Sequence, residues 1–139
     1  MTFALASFAL VAAIVGAMLF FAGAVAPTVF RVLQAAEAGR FLRAQFRVYY
    51  LVLGIATLAA ALLAAAAGRW REAALIALVA AGFALARQGL MPRINALRDR
   101  ALAGDAAAEP AFQALHRTSV WLNAFQLLGL LAVAWLLAG

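Results

Sequence analysis

Four stretches of this chain carry no charged side chain: Met1–Phe30, Val48–Gly68, Ala73–Ala86 and Thr118–Gly139. About 20 apolar residues cross a bilayer core of about 30 Å as a helix, so four crossings take roughly 80 residues and leave only short connections. The predicted fold class is all-α, an integral membrane bundle of four transmembrane helices forming one domain over the whole chain. The spans are expected at about residues 3–27, 47–67, 73–92 and 112–137, with short amphipathic cytoplasmic helices in the first and third connections.

Local punctuation refines these elements. The first span is expected to end near Pro27 and pass into an amphipathic stretch, Thr28–Ala38, that stops at Gly39. Gly68-Arg69-Trp70-Arg71-Glu72 leaves room only for a tight turn, so the second and third helices are antiparallel neighbours. Ala73–Ala86 is too short to cross unless the helix continues through Arg87 to about Met91, where Pro92 bends or ends it. Arg93–Ala103 reads as a short amphipathic helix closed by Gly104, and Pro110 suits the first turn of the fourth helix. Each half thus has a helix ending in Pro (Pro27, Pro92), a basic stretch and a return helix, a pattern open to reading as a parallel internal repeat.

Composition agrees with a bilayer and excludes a separate soluble domain. The chain is 69% apolar and 12% charged with a mean hydropathy of +1.03, against about 45–50% apolar and about 25% charged in soluble domains. The net charge of +6 rests on eleven arginines and no lysine. Arginines set between apolar spans follow the positive-inside rule, so nucleic acid is not an expected partner. Nine of them (Arg31, Arg40, Arg43, Arg47, Arg87, Arg93, Arg98, Arg100 and Arg117) lie at the first and third connections, and only Arg69 and Arg71 at the second. Both termini are therefore expected outside the cytoplasm. Ala24-Val25-Ala26 looks like a leader-peptidase site, but the preceding apolar run is too long and lacks a basic start, so a retained helix is expected.

The polar residues inside the apolar spans are few. His116, Ser119, Asn123 and Gln126 fall within an arc of about 80° on the fourth helix. Two readings of this stripe are open. Asn123 and Gln126 are interhelical hydrogen-bond donors worth about 0.6–2 kcal/mol each, or the stripe is a polar path leading inward from His116. Arg87 is the one ionisable side chain within the spans, and it either snorkels to the headgroups or contacts an anion. With Asn95 and Asp99 these residues form the candidate polar cluster at the cytoplasmic end, Asp99 pairing with Arg98, Arg100 or an arginine of the first connection. Arg47, Tyr50, Gly54, Thr57 and Ala61 offer the second helix a face for packing, and Tyr49, Tyr50, Trp70 and Trp121 read as interfacial aromatics. One histidine and no cysteine make a poor metal site, and no buried carboxylate pair, nucleophile elbow or phosphate loop is present. No cofactor, metal or catalytic residue is assigned.

Several segments carry a resemblance. They are Phe20-Phe21, Ala26-Pro27 and Phe30, then Phe46 and Tyr49-Tyr50, then Met91-Pro92-Arg93-Ile94-Asn95-Ala96-Leu97-Arg98-Asp99, and last Phe112-Gln113-Ala114-Leu115-His116-Arg117-Thr118-Ser119 with Asn123. Over nearly the whole chain it resembles a bacterial four-helix integral membrane domain of unknown function, related to an animal transmembrane protein associated with cisplatin resistance. The resemblance implies a four-helix bundle of the bacterial inner membrane without established activity. The motif residues it marks are Pro27, Pro92, Arg98, Asp99, Phe112, His116, Ser119 and Asn123. The expected function is non-enzymatic, either small-solute or ion handling or an accessory role, and a homo-oligomer or membrane-protein partner is expected because one four-helix chain is thin-walled for a pore. The alternative is a small membrane enzyme or cofactor protein acting on a lipid-soluble substrate, with His116 as acid–base group or axial ligand.

Overall fold

Hydrogen-bonded helix accounts for nearly all of residues 2–139, the part of the chain described by the computed structural model. The helices are α1 (Thr2–Phe20), α2 (Ala26–Val32), α3 (Ala35–Ala66), α4 (Trp70–Leu85), α5 (Met91–Leu102) and α6 (Ala108–Ala138), with no strand among the described residues. π-helical turns at Phe21–Val25 and Ala86–Leu90 join α1 to α2 and α4 to α5. The result is four continuous rods, Thr2–Val32, Ala35–Ala66, Trp70–Leu102 and Ala108–Ala138, each long and apolar enough to cross a membrane.

The prolines and Gly39 do not act as stops. A proline inside a regular α-helix loses one hydrogen bond and presses its ring on the carbonyl four residues back. Here the turn before each proline is widened: the Ala26 amide bonds to the Phe21 carbonyl and the Met91 amide to the Ala86 carbonyl, five residues back. Pro27 and Pro92 then sit in the first turn of α2 and α5, where a missing N–H costs little. The expected short amphipathic helices of the connections are therefore extensions of the long rods. The chain breaks instead at Leu33 and Gln34, both extended, and α3 runs unbroken through Gly39. Neither glycine nor proline marks that break.

The other two connections are closed by αL glycines. After α3, Gly68 (φ 75°) lets its own amide bond to the Ala65 carbonyl and the Arg69 amide to the Ala64 carbonyl. After α5, Gly104 (φ 94°) repeats both bonds, to Ala101 and from Asp105 to Arg100. Asp105 then accepts from Arg100 at 2.6 and 3.0 Å and from the Ala107 amide at 3.1 Å, fixing the entry to α6. The Arg100 guanidinium, foremost, holds the Asp105 carboxyl below the usual carboxylate range.

The rods stand in a ring in which α3 packs on α1 and α4, and α6 packs on α1, α4 and α5. Lipid tails are as apolar as a leucine side chain, so close packing and hydrogen bonds must hold such helices together. On α3 the small residues Ala60, Ala61 and Ala64 are buried, facing Val11, Ile14 and Met18 of α1 and Ile76 of α4 in a common core. Ser7 Oγ donates to the Ala60 carbonyl at 2.9 Å, and Arg69 donates to the Leu136 carbonyl, tying the α3–α4 turn to the end of α6.

Candidate anion-binding groove

At the end of the bundle away from the α3–α4 turn, the first turns of α3 stand opposite the Ala86–Leu90 turn and α5. Arg40, Arg43 and Arg47 recur at i, i+3 and i+7 on α3, which places them on one face. The opposite wall carries Arg87 and Gln88 from the π-helical turn, then Met91, Pro92, Asn95, Arg98, Asp99 and Leu102. Between the walls lie two cavities, of about 790 Å³ and about 460 Å³, which share Arg43 and Arg47. The larger, outer one is floored by Ala35, Ala36, Ala44 and Leu102; the smaller is polar, with Arg87, Gln88 and Asn95.

One ion pair spans the groove. Arg43 Nη2 lies 2.6 Å from Asp99 Oδ1 and Nη1 lies 3.2 Å from Oδ2, a bidentate pair with both side chains substantially exposed, 38% and 58%. The expected partner of Asp99 is thus the first-connection arginine, not its neighbours Arg98 or Arg100. Water screens exposed pairs of this kind, so they contribute little to stability. Arg87 reaches across with Nε 3.4 Å from the Arg47 carbonyl. Arg98 lies with its guanidinium 5.4 Å from the centre of the Phe112 ring, and a Cβ at Gly39 would come within 3.1 Å of Arg98 Nη2. Gly39 is therefore a gap that admits Arg98 between α3 and α6. Five arginines against one carboxylate give the groove a formal charge of +4, and among the described residues neither Arg40 nor Arg47 has an ion-pair partner.

The candidate cluster read from the sequence is divided among three places. Arg87, Asn95 and Asp99 line the groove. His116 is exposed on α6, its ring stacked 5.9 Å from Phe112, and Ser119 bonds back to the His116 carbonyl at 2.7 Å. Gln126 is buried at 4% exposure in the middle of the bundle, where Nε2 donates to the Val79 carbonyl of α4 at 3.2 Å. Asn123 is the polar neighbour of the Tyr49 hydroxyl, but Asn123 Oδ1, Tyr49 Oη and Gln126 Oε1 are all buried without a hydrogen-bond partner.

Tyr49 and Tyr50 are not interfacial: they are 7% and 5% exposed and pack with Phe21, Phe46 and Phe83, ring centres 4.9–6.3 Å apart. Trp70 and Trp121, by contrast, are well exposed. Arg40 and Arg43, counted from the sequence as topology signals, Arg47, placed there on a packing face, and Arg98, placed there as a motif residue and possible partner of Asp99, make the groove together with Arg87. The i, i+3, i+7 spacing of the first three was the available sign.

No curated protein and no solved structure matches the chain. A family model does, over residues 9–103, a stretch that takes in both walls of the groove and ends before α6. That model describes a domain of unknown function, DUF4149, and the chain, a membrane protein by its four long apolar helices, belongs to this family.

Proposed function

We propose that this protein is a non-enzymatic membrane bundle that binds small oxyanions in the groove between α3 and α5. The observation that carries the reading is the convergence of five arginines on two adjoining cavities whose linings hold a single carboxylate. Guanidinium groups remain charged at all accessible pH values and match the geometry of oxyanions through paired N–H donors. The groove faces the cytoplasm of a bacterial inner membrane in this reading, because nine of the eleven arginines lie at that end. A homo-oligomer fits the thin wall of a single four-helix chain.

The test uses the purified full chain in detergent, titrated with sulfate at constant ionic strength and followed by thermal unfolding and calorimetry. Saturable stabilisation is expected for the native chain. The double variant Arg47→Gln/Arg87→Gln is expected to lose about tenfold or more in affinity, as follows from removing charge-assisted hydrogen bonds. Equal responses of native chain and variant, or no saturable response in the native chain, would overturn the reading.

A further inference from the structure

The Arg43–Asp99 pair closes a groove that is otherwise all cation, and its exposure leaves both partners open to competition. A carboxylate held by two parallel N–H···O contacts occupies a guanidinium in the way that a phosphate oxygen pair would. Arg43 and Arg47 border both cavities, and Arg87, which reaches to the backbone of Arg47, lines the smaller one with them, beside Asn95 and Gln88. A tetrahedral anion with several acceptor oxygens uses such a set better than a halide or a lone carboxylate does. The outer cavity adds apolar room, along Ala36, Ala44 and Leu102, for an organic substituent.

We propose, building on the anion-binding reading above, that the groove takes a phosphate group and that Asp99 is its built-in competitor. The arriving phosphate displaces the Asp99 carboxylate from Arg43, and Arg47 and Arg87 complete its contacts. The same chemistry is presented by an anionic phospholipid headgroup and by a free phosphate, and basic pockets where helices leave a membrane suit both.

The decisive variant gains binding. Asp99→Asn removes the competitor and is expected to tighten inorganic phosphate by about two- to fivefold, the range set by the modest strength of an exposed ion pair. Asp105→Asn changes net charge equally but removes a carboxylate paired with Arg100 outside the groove, and is expected to leave phosphate affinity unchanged. Both are compared with the native chain by calorimetry in detergent. In a second arm, each chain is incorporated into vesicles of phosphatidylcholine with or without phosphatidylglycerol and examined by native mass spectrometry for retained lipid. Retention of phosphatidylglycerol that rises in Asp99→Asn and falls in Arg47→Gln/Arg87→Gln assigns the phosphate to a headgroup. Binding of inorganic phosphate with the same variant order but no retained lipid assigns it to a soluble source, and either result supports the proposal. Saturable sulfate binding with an Asp99→Asn variant no tighter for phosphate than Asp105→Asn overturns the competitor role while leaving anion binding standing. Failure to bind either anion or the lipid overturns both.

Discussion

Gln126 and Gly82 form a pair that only the packed bundle makes visible. A Cβ at Gly82 would lie 2.9 Å from Gln126 Nε2, and the amide cannot retreat without giving up its bond to the Val79 carbonyl. Gly82→Ala is therefore expected to destabilise the bundle by about 1–3 kcal/mol, the usual cost of overpacking. Gln126→Ala vacates the same space, so the double variant should lose less than the sum of the two single losses. Reversible unfolding in detergent measures all three, and strictly additive losses would refute the pairing. Periodicity placed His116, Ser119, Asn123 and Gln126 on one arc correctly, since direction around a helix axis is a property of spacing. It could not say what stands opposite: His116 is exposed while Gln126, ten residues on, is buried against α4. Tyr49 and Tyr50 were misplaced for a related reason, because an aromatic at the membrane boundary looks the same in sequence whether it faces headgroups or Phe21 and Phe46.

At the scale of elements, two π-helical turns carry the first and third rods past their prolines, and the second of them lines the groove. Each starts six residues before its proline, Phe21 before Pro27 and Ala86 before Pro92. Such a turn is a one-residue insertion into an α-helix, and here it carries the helix past a residue that would otherwise break it. Deleting Gly89 should convert Ala86–Leu90 to regular helix and leave Pro92 in a helix interior, a loss of about 3 kcal/mol. Adding Pro92→Ala to the deletion should recover most of that loss, and thermal unfolding of the two variants decides it; an unrescued deletion would mean that the turn serves something other than the proline. The four long apolar runs and the αL stops at Gly68 and Gly104 were legible because they depend on local chemistry. The meaning of Pro27, Pro92 and Gly39 was not, because a proline signals a stop only if the preceding turn stays regular. Gly39 lies in the second turn of α3, where it gives room to Arg98, a residue 59 positions away in sequence.

The whole molecule has one basic end and one nearly neutral end, and this asymmetry ties the groove to an orientation. Since the rods alternate in direction, the breaks at Leu33–Gln34 and Ala103–Ala107 share the groove end, while the Ala67–Arg69 turn lies at the other with the described start of α1 at Thr2 and the end of α6 at Ala138. Arg69 and Arg71 are the only arginines at that second end, and Arg69 is already engaged by Glu72 at 2.8 Å. Positively charged connections are retained on the cytoplasmic side during insertion, the more strongly when they are short. Nine arginines against two should therefore fix a single topology, with Gly139 on the far side of the membrane from the groove. A reporter active only outside the cytoplasm is expected to work when fused after Gly139 or within the Ala67–Arg69 turn, and to be silent when placed in the Ala103–Ala107 connection. A cytoplasm-dependent reporter should give the opposite pattern at all three sites. Cytoplasmic activity at Gly139 would reverse the bundle, move the groove to the outer face, and restrict its anions to those met outside the cell.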